Sequence, residues 1–165
     1  MCMARVDGKA VIIPNGATRV LVCVDDLRDE EPGGRWYNPY QPRAVRFESV
    51  LQLLNGMEEL YNDLSFPQPA FCCRSWRQGE EARDRCRKRK KEVKRYMSDE
   101  VFKEKRGEKA TFVVQVQFRQ NATWQGTVTW AEKNETRHFR STLELIRLMD
   151  ESLSPEREEP VKTAT

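Results

Sequence analysis

Phe47-Glu-Ser-Val-Leu-Gln-Leu-Leu-Asn-Gly-Met57-Glu-Glu59 and Phe139-Arg-Ser-Thr-Leu-Glu-Leu-Ile-Arg-Leu-Met149-Asp-Glu151 are one pattern written twice, 92 residues apart. Phe, Ser, two Leu, Met and an acidic residue recur in register. Working outward at the same offset and without a gap, Val20-Leu-Val-Cys-Val24 falls on Phe112-Val-Val-Gln-Val116, and Gly34 falls on Gly126. Any two amphipathic helices share part of such a pattern, but self-similarity that continues through strand-like sequence at one fixed offset is the mark of a duplicated unit. The chain of 165 residues then divides into an N-terminal segment (1–17), a first strand-strand-strand-helix unit (18–64), a basic helical linker (65–108), a second such unit (109–153) and a disordered, mildly acidic tail (154–165).

The second unit is the plainer of the two. From Thr111 to Gln120, Phe112, Val114, Val116 and Phe118 alternate with Val113, Gln115, Gln117 and Arg119, the period of two expected of a half-buried strand. Asn121-Ala122 turns the chain. Trp124, Gly126, Val128 and Trp130 then alternate with Gln125, Thr127 and Thr129 in a second strand, with both indoles on the buried side. After a turn at Lys133-Asn134, Glu135 to Arg140 supplies a short third strand. Ser141-Thr-Leu-Glu144 is a capping box: the hydroxyl accepts from an otherwise unpaired amide and the glutamate reaches back. Leu143, Ile146, Met149 and Leu153 form the expected apolar stripe of a helix that Pro155 stops.

The first unit follows the same order. Ser49-Val-Leu-Gln52 is again a capping box, and Leu51, Leu54, Met57, Tyr61 and Leu64 form the stripe. Its middle strand is the weak part, because Pro32, Pro39 and Pro42 surround Gly-Gly-Arg-Trp-Tyr and require an element that is short, at an edge or irregular. Asp25-Asp26 reads as the start of a loop. A unit of about 45 residues buries too little surface alone, so the two should pack together. The expected fold class is α+β: a duplicated three-strand antiparallel sheet plus helix unit, related by a pseudo-twofold, with a basic helical linker. Within that linker Gly79 to Met97 has helix-forming composition, and Ser98 to Gly107 has the cap, acidic start and glycine stop of a second helix.

Charge is distributed unevenly. Arg83, Arg85, Arg87, Lys88, Arg89, Lys90, Lys91, Lys94 and Arg95 face only Asp84 and Glu92, nine cations against two anions, while the net charge of the chain is +3. A local +7 attracts polyanions, although a run of like charge also describes a solvated helix or a contact with an acidic protein. With 33% charged residues and a mean hydropathy of -0.79, no stretch reaches the ~20 apolar residues of a membrane span. The start lacks the apolar core of a secretory signal and the five cysteines lack C-x-x-C spacing, so a reducing cytoplasm is the expected compartment.

Catalytic equipment is sparse. The one histidine, His138, alternates to the face opposite Phe139 and reads as a surface residue. Adjacent Cys72-Cys73 suit a tetrahedral metal site poorly, and Gly33-Gly34 lacks the following helix and lysine of a phosphate loop. We expect no enzyme activity, no cofactor and no metal. The face carrying Gln115, Gln117, Arg119, Thr123, Gln125, Thr127, Thr129, His138 and Arg140 can donate to phosphates and base edges, as can any polar sheet face.

The run FVVQVQFRQNATWQGTVTWAEKNETRHFRSTLELIRLMDE, from Phe112 to Glu151, resembles a family of small uncharacterised proteins of Firmicutes-type bacteria, often associated with mobile genetic elements. VRFESVLQLLNGMEELYNDLSFPQP, from Val45 to Pro69, is similar to a related family. The resemblance implies a setting and no catalytic residues. In architecture the unit is similar to the arm-binding domains of some transposon integrases, which lay a sheet in the major groove. The expectation is a non-enzymatic nucleic-acid-binding protein, taking DNA or RNA phosphates on Arg83 to Arg95 with Arg119 and Arg140 on the sheet. The alternative is an inhibitor of a host nuclease-effector complex, of the anti-CRISPR type, acting by protein contact.

Overall fold

A computed structural model of the chain describes residues 2–6, 9–72, 74–76 and 93–154. Within the N-terminal segment, strands β1 (Cys2–Val6) and β2 (Lys9–Ile13) form a separate two-stranded sheet. A short 3-10 turn then leads into β3 (Arg19–Arg28), followed by β4 (Glu31–Tyr37), β5 (Val45–Phe47) and helix α1 (Val50–Leu64). After one helical turn, α2 (Val101–Glu104), come β6 (Ala110–Phe118), β7 (Gln125–Trp130), β8 (Glu135–Phe139) and helix α3 (Thr142–Leu153).

The fold is α+β, with one six-stranded sheet in the order β5-β4-β3-β6-β7-β8 and every pair antiparallel. The sheet has both faces covered at its centre, which is why Val20 to Val24 reads as an unbroken apolar run: all five residues are buried. Val20, Val22 and Val24 join Phe112, Val114, Val116, Trp36, Phe47 and Phe139 under the two long helices. Leu21 and Cys23 point the other way, onto Tyr37, Val101 and Phe102.

Both helices start as their capping boxes require. Ser49 Oγ accepts from the Gln52 amide and Ser141 Oγ from the Glu144 amide, each at 3.2 Å. The returning side chains bond the amide of the residue before each serine, Gln52 to Glu48 at 2.8 Å and Glu144 to Arg140 at 2.7 Å. The stripes are rotated from expectation. Leu53, Met57, Leu60, Tyr61 and Leu64 are buried on α1 and Leu145 and Met149 on α3, whereas Leu51 and Leu143 stand more than half exposed. Each is the second residue of its helix, where the apolar pattern of the sequence does not show which first-turn side chain meets the sheet.

Three further expectations are corrected. The proline-flanked strand β4 is seven residues long and lies inside the sheet. It tolerates Pro32 because β5 spans only Gly34 to Trp36 on its other side, leaving Pro32 beyond the pairing. Asp25 and Asp26 lie within β3, at a bulge between Val24 and Asp26, and the turn comes later at Asp29 and Glu30, whose φ values are 50° and 67°. The linker is not uniformly solvated: Val101 and Phe102 are buried against the sheet, α2 has no side-chain cap, and Val93 to Met97 are not helical. The remainder of the expected helix from Gly79, like the tail beyond Ser154, lies outside the described residues.

Candidate nucleic-acid interface

The sheet face opposite α1 and α3 has two halves. Val93 still packs on the helix side, beside Leu60 and Leu64 of α1; across β3 and β4 the opposite face is roofed by the strap from Met97 to Gly107, with Phe102 in one cluster with Leu21 and the Arg19 guanidinium 4.5 Å from the Phe102 ring centre. The strap is tied down by two amides, Tyr96 and Met97, that both donate to the Pro39 carbonyl, at 2.7 and 3.1 Å. Across β6, β7 and β8 the side chains on this face are mostly polar, the exceptions being Val113, which packs on the Leu21 cluster, and the exposed Phe118. Register brings Gln115 opposite Thr127, and Thr127 opposite His138, with Thr129 facing Thr136 in the next row. Gln117, Thr136 and His138 are exposed and Gln115, Thr127 and Thr129 half-buried. The two threonine hydroxyls bond each other at 2.8 Å, and Gln115 Nε2 donates to the Asn15 carbonyl at 3.2 Å. Apart from Phe118 this surface is made largely of amides and hydroxyls, groups that both donate and accept.

Arg119 does not belong to that surface. It is 3% exposed, turned to the helix side. Its Nε donates to the Pro67 carbonyl at 2.6 Å, and its Nη1 reaches Glu58 at 2.9 Å and Asn62 at 2.7 Å on α1. The cause is a bulge in β6 between Val116 and Phe118, which adds one residue and reverses the strand phase. Phe118, expected inside, is accordingly 55% exposed, and Arg119, expected outside, is buried. Trp124 Nε1 donates to the other Glu58 oxygen at 2.8 Å, and its ring meets Tyr61 edge-on at 5.5 Å. One α1 carboxylate thus serves a buried guanidinium and a buried indole together.

Of the other candidate cations, Arg140 is exposed at the end of β8 and paired with Glu144. The pairing raises the arginine pKa and lowers that of Glu144, chiefly through their side-chain hydrogen bonds. Lys94 lies 5.4 Å from the Tyr96 ring centre, and Arg95 bonds the Met97 carbonyl at 3.0 Å and Asp99 at 2.7 Å. Both are exposed. Arg83, Arg85, Arg87, Lys88, Arg89, Lys90 and Lys91 lie outside the described residues.

The segments on either side of the basic block are fixed at one end of the sheet. Before it, the Ala70 amide donates to the Arg119 carbonyl at 2.9 Å; after it, the strap meets Pro39. The end of β6 and the end of β4 that these contacts mark lie together, because both strands flank β3 antiparallel. Gln117 and Gln125 belong to this same end.

Among the described residues no cluster of three His, Cys, Asp or Glu could hold a metal ion, and no helix is long and apolar enough to cross a membrane. Cys23 is a buried free thiol whose pKa burial pushes up to about 11, while Cys72 is exposed. Compared with protein-family models, with curated proteins and with solved structures, the chain has no match.

Proposed function

We propose that the chain is a duplicated unit built about a pseudo-twofold axis, and that it acts as a non-enzymatic nucleic-acid-binding protein. The duplication is supported by detail that the sequence pattern does not require. At the offset of 92, the pair Val24 and Gly34 becomes Val116 and Gly126, each beside a bulge. The left-handed turn residues Asp29 and Glu30 become Asn121 and Ala122. Glu31, which accepts the first helical amide of Val50, becomes Thr123, which accepts that of Thr142. The central pair Leu21 and Val113 maps onto itself when the halves exchange, which puts the axis there.

The observation that carries the binding function is the open polar face of β6 to β8, one end of which adjoins the points where the basic block enters and leaves the fold. The cations from Arg83 to Arg95 would contact phosphates, and Gln117, Thr127 and His138 would orient the duplex on the sheet. The experiment replaces Arg87, Lys88, Arg89 and Lys90 together by Glu and measures affinity for DNA and RNA duplexes between about 50 and 200 mM salt. Each phosphate that is no longer neutralised takes about 0.9 from the slope of log affinity against log salt, so the slope falls by roughly 3 to 4. An unchanged slope and affinity refute the reading. A protein partner that stays bound after complete removal of nucleic acid supports instead an inhibitor of a nuclease-effector complex.

A further inference from the structure

A cleft of about 240 Å³ opens between α1 and α3, walled by Leu54 and Met57 from one helix and Ile146 and Met149 from the other, with Pro32 at one end. Its counterpart across the axis is filled. There the Trp124 indole lies against Tyr61 and donates its N–H to Glu58. At the offset of 92 Trp124 corresponds to Pro32, Tyr61 to Leu153 and Glu58 to Asp150, and all three of these counterparts line the cleft. The carboxylate and the apolar wall are therefore kept while the indole between them is replaced by a pyrrolidine.

We propose that this cleft binds a small planar aromatic ligand carrying an N–H donor, of the indole class, in the place that Trp124 occupies in the other half. The proposal rests on the equivalence of the two halves. The volume lies just under the ~300 Å³ at which sites for drug-sized ligands begin, which suits a bicyclic ring and little more. The walls supply apolar contact and the two methionine thioethers, which favour aromatic rings. The rim carries Glu30, Glu31 and Asp150 against Arg147, so a neutral or cationic ligand is favoured over an anionic one. Asp150 accepts the ring N–H as Glu58 accepts that of Trp124.

The test titrates the full chain with indole, tryptamine, indole-3-acetate and indene, the last having the same shape without a donor, by calorimetry and protein NMR. Indole binds about tenfold more tightly than indene, the difference made by one hydrogen bond to a charged acceptor, and tryptamine outcompetes indole-3-acetate. Asp150→Ala abolishes the preference for indole over indene. Pro32→Trp fills the cleft from within, raises the melting temperature and eliminates indole binding. Ile146→Trp plugs the cleft from the helix should the strand variant fail to fold. Equal binding of indole and indene, or no saturable indole binding to the wild-type chain, overturns the proposal. If the introduced indole of Pro32→Trp seats against Met149 while the wild-type chain ignores indole, the equivalence of the halves stands and the ligand site alone is refuted. If the wild-type chain binds indole at Met149 and the introduced indole stays in solvent, the equivalence fails and the site stands.

Discussion

Glu58→Ala removes a carboxylate that two buried groups share. Arg119 keeps its bonds to Pro67 and Asn62 but loses the Glu58 carboxylate, and Trp124 Nε1 loses its acceptor. Breaking a buried ion pair from one side costs about 3 to 5 kcal/mol because the remaining charge stays desolvated. The pair here is uneven, Arg119 at 3% side-chain exposure and Glu58 at 31%, so water reaches the pair through the carboxylate and the lower end, ~3 kcal/mol, applies. The stranded indole N–H adds ~1 kcal/mol. A total of ~4 kcal/mol lowers the melting temperature of a chain this size by roughly 8 to 16 °C. Glu58→Gln loses the charge and one of the two acceptors but keeps the other and the side-chain volume, so it costs less than Glu58→Ala. Urea denaturation of both variants, followed by intrinsic fluorescence and fitted as a two-state transition, measures the difference. A loss below ~1 kcal/mol for Glu58→Ala would show that the carboxylate is not what holds Arg119 inside, and the account of the reversed strand phase would fall with it.

Phe47→Ala and Phe139→Ala each cost ~3 to 5 kcal/mol in the same assay, as both rings are at most 2% exposed, while Ser49→Ala and Ser141→Ala each cost ~1 kcal/mol; a large inequality within either pair contradicts the equivalence of the halves. Gly34→Ala and Gly126→Ala are expected to lose at least ~2 to 3 kcal/mol, because a Cβ at either glycine would stand 2.0 Å from a carbonyl oxygen of the neighbouring strand, that of Cys23 or Gln115; soluble, fully stable alanine variants would refute this. Burial holds the Cys23 thiol neutral to about pH 11 against 9.0 when unfolded, so the folded state is unaffected below pH 9 and loses stability between 9 and 11 as the unfolded thiol ionises. Subtracting the pH profile of Cys23→Ala from that of the wild type isolates this loss, and a flat difference refutes it.

Much of the fold was legible because a sequence pattern that recurs at the offset of 92 lets one stretch check the other. The weak strand around Pro32 gains credence from the regular strand around Trp124, and the paired serines fix both helix starts. Part of what was not legible traces to one device. A bulge is a change of phase, and alternation cannot reveal one when each side of the phase change offers an apolar residue; Val116 and Phe118 both look like core, and only the first is. The trace it left in the sequence is the glycine opposite, Gly34 and Gly126, where the neighbouring backbone comes too close for a Cβ. Two glycines at the repeat offset in otherwise apolar strands could have marked the bulges, and with them the inward turn of Arg119. The strap hid for another reason: Val101 and Phe102 are only two apolar residues in a charged segment, too few to show a period.

On the proposed duplication, the differences between the halves are where function has room. Positions that build the frame are held: the phenylalanine before each helix, the capping serine, the buried Leu53 with Leu145, Met57 with Met149 and the bulge glycines. Positions that differ fall in two places. On the open face, β6 and β7 present Gln115, Thr127 and Thr129 where the first half carries Cys23, Arg35 and Tyr37, and the first half is roofed by the strap while the second is left to solvent. A largely polar surface that the strap leaves uncovered is, on the proposed function, one on which a partner can be recognised without cost to the core. Between the helices the asymmetry runs the other way. The second half fills its space with Trp124 and anchors Arg119 beneath it, and the first half puts Pro32 and Leu27 at those positions. Leu27 is 39% exposed where Arg119 is buried, so the stretch with Pro32 has neither the indole nor the ion pair found at the offset of 92. On the proposed reading each half is open on one face and closed on the other, so that one frame used twice would carry two different sites.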